Sequence, residues 1–199
     1  GPRGAHTKEH IRSPLIKEFE SWQEAACCLV AMFTTAPLLH GAFCYLREVA
    51  MRGVIVALGH SDASEEDIYK AADAGARLST HLGNGLAGTL PRHPNAVWAQ
   101  LAEDRLSASL ILDGHHLPKS TAQVMIRAKG TERVVLVSDS VKFAGMKPGP
   151  YKSSIGGDVK VSSDGRVSIS GTQFLAGSGV SLLDVVGNFS SFTGLPFFA

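Results

Sequence analysis

The sequence predicts an α/β fold, part of a (β/α) barrel interrupted by a β-hairpin. Three observations carry this. Four short apolar runs, at 54–60, 77–81, 107–113 and 133–139, each end on a His or an Asp and pass into a polar or helix-prone stretch. A β-rich apolar run followed by a helix is a βα unit. Roughly five or six such units fit into the 199 residues, whereas a closed barrel takes about 250, so the chain reads as an internal piece of a larger enzyme. Finally, residues 151–172 alternate in period two about Asp164-Gly165, a strong hairpin signal. Residues 1–150 are therefore assigned to a partial barrel, 151–172 to a β insertion, and 173–199 to a return to the barrel.

Residues 1–12 are polar, with Pro2, His6 and His10, and read as a loop off a strand end. A helix is expected over 13–24, with Ser13 as N-cap and Pro14 in the first helical position. Residues 27–35 form a candidate strand that Pro37 stops. Leu39, Phe43, Leu46, Val49 and Ala50 repeat at helical spacing and end at Gly53, a C-cap residue. A strand follows at 54–58. Ser64 starts the next helix, with Glu65, Glu66 and Asp67 putting negative charge in its first turn; that helix stops at Gly75, and a strand at 77–80 follows at once. The stretch 83–95 is rich in Gly, Pro and Asn and is too long for a plain turn. A short helix is expected at 98–103, strands at 107–112 and 134–137, a helix at 118–128 closed by Lys129 and Gly130, a glycine-rich stretch at 175–180, and a helix at 181–192.

Composition narrows the function. The chain is 44% hydrophobic and 19% charged, so a core can form and global disorder is excluded. A net charge of +1 without a basic block argues against nucleic acid or an anionic membrane surface as partner. No apolar stretch approaches the roughly 18 residues that span a bilayer; the longest, 25–33, reads as a buried strand. No signal peptide is recognisable. Cys27, Cys28 and Cys44 are odd in number and partly adjacent, which fits reduced, buried thiols and a cytoplasmic setting.

The chemistry-bearing residues sit at strand ends, where (β/α) barrels keep their active sites. His60 and His81 end neighbouring strands, and two converging imidazoles suit a divalent metal: zinc, with iron or manganese as alternatives. A surface or core histidine is the ordinary alternative for either alone. Asp139 ends another strand. A carboxylate there can take a proton from an attacking water and hand it to a leaving group; an N-cap or a structural salt bridge is the other reading. Asp113 precedes Gly114 and reads as the cap of a turn that presents His115 and His116. Adjacent histidines cannot both enter one pocket from extended backbone, and His116 is the one expected to face a substrate. Arg92, in a loop stiffened by Pro91 and Pro94, suits a phosphate or carboxylate, or is a solvated loop charge. Asn84 and Gly85 can offer an amide and a bare backbone N–H, as can Gly177 and Gly179. No P-loop or dinucleotide fingerprint is present.

Together these segments resemble the N-acetylglucosamine-6-phosphate deacetylases of the amidohydrolase superfamily. The matching pieces are GPRGAH at the start, LGHSDA around His60, THLGN around His81, DGHH at 113–116, LVSDS around Asp139 and LAGS at 175–178. The resemblance implies a metal-dependent TIM-type (β/α) barrel with a small β-sandwich, of which this chain is the C-terminal part and to whose sandwich the β insertion belongs. It implies His60 and His81 as metal ligands, Asp139 as catalytic acid/base and His116 as the residue that polarises the amide carbonyl. Ala5, His6, Asn84, Gly85, Leu175, Ala176 and Gly177 match contacts to an amino-sugar phosphate. Arg92 falls where the family reaches the substrate phosphate of a neighbouring subunit, which implies a homodimer. The family's metal-binding Glu directly precedes the Gly-Pro that opens this chain, and is absent here. Gly83 and Gly85 stand where the family more often has an aromatic residue and Ala. The expected reaction is hydrolysis of the N-acetyl group of an N-acetyl amino-sugar 6-phosphate. The alternatives are an amidohydrolase acting on another amide, or a non-catalytic remnant without the metal-binding Glu.

Overall fold

A computed structural model describes the chain apart from Gly1, Ala5, Thr7 and residues 154–156 and 197–199. The chain divides into two units, one made of Gly1–Arg3 and Glu9–Ser109, the other of Gly4–Lys8 and Leu110–Ala199.

The first unit is a run of βα elements. Helix α1 (Ile16–Ala25) is followed by β1 (Met32–Thr35), α2 (Ala42–Met51), β2 (Ile55–Leu58), α3 (Glu65–Asp73), β3 (Ala76–Ser79), α4 (Ala96–Ala102) and β4 (Ser107–Leu110). The strands pair in chain order and in parallel: Thr35 lies opposite Leu58, Leu58 opposite Ser79, and Ser79 opposite Ala108. Parallel pairing needs a crossover between strands, and the intervening helices supply it. Their apolar faces close the core: Phe19 of α1, Leu46 and Val49 of α2 and Ile68 of α3 bury against Val56 and Leu58 of β2, with Leu106 beside them. Burying each such side chain contributes about 1.5–3 kcal/mol.

Helix starts follow local chemistry. Ser64 accepts the Asp67 amide while the Asp67 carboxylate accepts the Ser64 amide, so the predicted start of α3 is a full capping box. Asn95 caps α4 by accepting from Val97 and Trp98. The expected cap at Ser13 is not formed: α1 begins at Ile16, after an extended Leu15, and no side chain caps it. Arg12 instead reaches over the first turn to Glu18.

The stretch 27–35 is a strand only from Met32. Cys27 and Cys28 turn out of α1 in left-handed conformations, and their amides bond back to Glu24 and Gln23. A tight helix end has replaced the first half of the expected strand, and the apolar run 25–33 is not buried; Leu29 is 80% exposed. The expectation of buried thiols fails for the same reason. Cys27 and Cys28 stand on that turn, Cys44 faces away from the core on α2, and all three are free and exposed.

In the second unit β5 (Val134–Leu136) follows α5 (Lys119–Lys129), and the Val137 amide just beyond β5 donates to the Leu110 carbonyl at 3.1 Å. Strands β6 (Gly149–Lys152), β7 (Asp158–Val161) and β8 (Val167–Ile169) make an antiparallel sheet in that order. The β7–β8 hairpin turns at Asp164-Gly165 as expected, with Val161 opposite Val167. The strand β6 adds a third partner that begins before the predicted insertion. Val159, Val161 and Val167 pack with Phe143 into a small core of their own. Helix α6 (Leu182–Thr193) opens on a second capping box, Ser181 with Asp184, and ends at the left-handed Gly194. Its Asn188 donates to the Leu112 carbonyl at 2.7 Å. No helix among the described residues is long and apolar enough to cross a membrane.

Candidate active site

Register places the two histidines. Leu58 and Ser79 lie opposite each other at the ends of β2 and β3. His60 and His81 are each two residues further on, so they leave the sheet side by side. Their rings meet edge to face, with centroids 4.8 Å apart and planes at 88°. The two Nε2 atoms are 3.0 Å apart. Nitrogens bound at 2.0–2.1 Å to one tetrahedral zinc are separated by about 3.3 Å, so the pair needs almost no rearrangement to share an ion.

Three contacts fix this geometry. The Ser109 hydroxyl accepts the His81 amide at 2.7 Å and donates to the Ser79 carbonyl. Thr34 and Thr80 join hydroxyls at 3.0 Å across Gly59, where a Cβ would lie 3.0 Å from both threonine side chains. Gly85 closes over the rings: a Cβ there would lie 3.0 Å from His60 Nδ1 and 3.1 Å from His81 Cε1. The residue expected to offer a bare N–H to a ligand is thus a wall of the imidazole pair. Asn84 beside it has its amide nitrogen buried and, among the described residues, without a hydrogen-bond partner. Such a donor costs about 1–3 kcal/mol, a cost that a ligand oxygen would relieve.

The histidines share a backbone feature with Asp139. His60, His81 and Asp139 have φ of +49°, +35° and +50°. Left-handed backbone is uncommon outside glycine, and strain of this kind collects at functional sites. Only Cys27 and Cys28 join them among described non-glycine residues. Asp139 follows β5 and is exposed. Its carbonyl accepts the Ser178 amide at 3.0 Å, and the Ser178 carbonyl accepts the Val141 amide at 3.1 Å. The predicted 175–177 segment therefore runs beside Asp139. Gly177 is required there, because a Cβ would lie 2.2 Å from a Val141 methyl. Ala176 donates its amide to Val167, and Leu175 bridges to Ser168, so this stretch also edges the small sheet.

The turn at 113–116 is built by one carboxylate. Asp113 Oδ1 accepts the amides of His115 and His116 at 2.9 and 2.8 Å, and Oδ2 meets His116 Nδ1 at 2.6 Å. Burial alone would push this carboxyl up. The hydrogen bonds from the His116 ring and from both amides outweigh it and hold the group at about 2. The adjacent imidazoles diverge as expected, His115 Nε2 going to the Asp164 carbonyl at 3.2 Å. Sequence reading gave Asp113 the turn but missed its hold on the ring; the i, i+3 spacing of Asp and His was the available signal.

The remaining candidates are less enclosed. Arg92 is exposed and, among the described residues, forms no ion pair, while its carbonyl and that of Pro91 accept from Asn95. His6 is exposed on a bend. Ala5 lies outside the described residues. No group of three His, Cys, Asp or Glu able to hold a metal occurs among the described residues. The His60–His81 pair alone is spaced to supply two ligands of a metal site.

The fold and these residues define a class: an α/β protein whose His60 and His81 stand just past the C-terminal ends of neighbouring parallel strands. Comparison with known proteins narrows it. No protein-family model matches the chain. The N-acetylglucosamine-6-phosphate deacetylase of Bacillus subtilis is 34% identical over 175 residues, which are 88% of this chain and 43% of that protein. The N-acetylgalactosamine-6-phosphate deacetylase of Escherichia coli O157:H7 is 34% identical over 194 residues, 97% of this chain and 50% of that protein. A variant of the Mycobacterium smegmatis N-acetyl-D-glucosamine-6-phosphate deacetylase, solved in complex with N-acetyl-D-glucosamine-6-phosphate, superposes with a TM-score of 0.90 at 29% identity, over 98% of this chain and 51% of that one. The chain belongs to the N-acetylglucosamine-6-phosphate deacetylase family. It spans about half the length of the curated relatives it matches.

Proposed function

We propose that this chain carries hydrolytic machinery of an enzyme that removes the acetyl group from an N-acetyl amino-sugar 6-phosphate. The observation that carries this reading is the register-matched approach of His60 and His81, with Nε2 atoms 3.0 Å apart. The relatives' names supply the substrate class, and they include both the gluco and the galacto sugar.

His60 and His81 hold a divalent metal, zinc, with iron or manganese as alternatives. Such an ion supplies a Lewis acid and makes a nucleophile available from water at neutral pH. In the family resemblance the third ligand is the Glu that directly precedes the opening Gly-Pro. Asp139 takes the proton from the attacking water and delivers it to the departing amine. His116 donates to the amide carbonyl oxygen. Asn84, Gly85, His6, Ala5 and residues 175–177 bind the sugar phosphate. Arg92 pairs with the phosphate held by a second copy, so the working enzyme is a homodimer; the exposure of Arg92 and its want of an ion pair among the described residues support this. The three free thiols support a cytoplasmic setting.

The test is acetate release by the whole enzyme from N-acetylglucosamine-6-phosphate and N-acetylgalactosamine-6-phosphate, before and after chelation and on return of zinc, iron or manganese. Release lost on chelation and regained with one metal is expected; no release from either sugar under any condition would refute the reading. A second reading, a non-catalytic binding remnant, is favoured by the lack of a three-ligand cluster among the described residues. Metal analysis separates the two, because a remnant would hold no stoichiometric ion.

A further inference from the structure

The geometry points to the tip of the β7–β8 hairpin as a strut for the 175–180 segment, with His115 as the positioning residue that pins the tip. This rests on the sugar-phosphate role proposed for residues 175–177 and adds the parts that hold them in place.

Residues 173–180 serve two neighbours in turn. They first edge the small sheet. The Phe174 carbonyl accepts the Ile169 amide at 2.9 Å, the Ala176 amide donates to the Val167 carbonyl at 3.0 Å, and Arg166 donates to Gln173 through both of its terminal nitrogens. Ser178 then leaves the sheet for the Asp139 corner, giving its amide to Asp139 and taking the amide of Val141. Gly179 returns to the hairpin tip. A Cβ on Gly179 would lie 2.0 Å from the Gly165 carbonyl oxygen. The obstacle is backbone, with no flexible side chain to give way. Gly179 is not left-handed, so close approach alone excludes a side chain there.

The hairpin closes without outside help. Ser162 donates its amide to the Arg166 carbonyl at 2.9 Å, and the Asp164 carboxylate accepts the Arg166 amide at 3.2 Å. His115 adds something the turn does not need. Its Nε2 meets the Asp164 carbonyl at 3.2 Å, from 49 residues away in the chain. A carbonyl only accepts, so the ring donates. This bond fixes where the tip stands, and the tip fixes how closely Gly179 approaches.

The experiment is steady-state kinetics of the whole enzyme on both sugars, with hydrogen exchange of the peptide spanning 174–181. His115→Leu removes the donor, and His115→Gln keeps an N–H at similar reach. One such bond is worth about 3–10-fold. His115→Leu should therefore raise KM by about 3–10-fold with kcat nearly kept, and the peptide should exchange faster. His115→Gln should restore both. Gly179→Ala, which must push the segment off the tip, should raise KM by about tenfold or more. An unchanged KM or unchanged exchange in His115→Leu would overturn the proposal, and so would His115→Gln behaving like His115→Leu. A fall in kcat with KM kept would also overturn it, because His115 would then act through its neighbour His116. A natural enzyme releasing no acetate from either sugar would remove the deacetylase reading instead, and the exchange comparison would then decide the strut by itself.

Discussion

Gly85 shows how closely the imidazole pair is packed. A side chain there meets two obstacles: a φ of +59° and ring atoms 3.0–3.2 Å from the new Cβ. In the whole enzyme, Gly85→Ala should cost about 1–3 kcal/mol of stability and weaken zinc binding. Chemical denaturation and zinc titration of the same sample check both, and unchanged stability and affinity in the Gly85→Ala variant would contradict this packing. The proton transfer proposed for Asp139 predicts a different pattern. Asp139→Asn in the whole enzyme should lower kcat by about 10²–10⁴-fold with bound metal retained, whereas His81→Asn should lose metal and activity together. Near-normal turnover in Asp139→Asn would leave Asp139 a turn residue only. The strand-end residues were legible because apolar runs ending in His or Asp survive in one dimension. The Oδ2 contact of Asp113 and the wall made by Gly85 were not, because both depend on directions that spacing alone leaves open.

Among the elements, caps distinguish what a pattern requires from what it permits. Ser64 and Ser13 both precede helix-prone stretches, but only Ser64 closes a capping box. Ser64→Ala should cost about 1 kcal/mol, while Ser13→Ala should stay within about 0.5 kcal/mol. Thermal melts of the two variants in the whole enzyme check this, and equal losses would contradict the assignment. Most helices and strands were readable because their periodicity agrees with their punctuation, as in α2, which ends before Gly53. The segment from Cys27 to Ala31 was misread because a hydrophobic run says nothing about φ. Two left-handed residues turned it into a helix end, and its apolar side chains stayed outside. The third strand of the small sheet escaped because Gly149-Pro150 reads as a breaker, yet Pro150 is tolerated in an edge strand.

Large apolar side chains remain exposed in both units. Met51 and Leu29 in the first unit, and Leu183 and Phe174 in the second, are 73–81% exposed. Scattered single residues of this kind are ordinary, but here they accompany a chain that spans about half of its relatives. Exposed apolar side chains promote association where they gather into patches. The isolated 199-residue chain should bind an apolar dye and run above its monomer mass on size exclusion. A dye-silent monomer with a cooperative melt would contradict this. The succession of parallel βα units in the first unit was legible because each carries its own apolar run and its own helix.

The left-handed corners at residues 60, 81 and 139 impose two separate filters on any replacement. The backbone accepts glycine and asparagine readily and rejects valine, isoleucine and threonine. The chemistry proposed here accepts only a ring nitrogen at 60 and 81 and a carboxylate at 139. A saturation library scored once for soluble yield and once for turnover should therefore sort differently in the two assays. Gly and Asn variants should cluster as abundant but silent proteins, and β-branched ones as scarce. The abundant, silent class would give this family its inactive reference proteins without disturbing the scaffold.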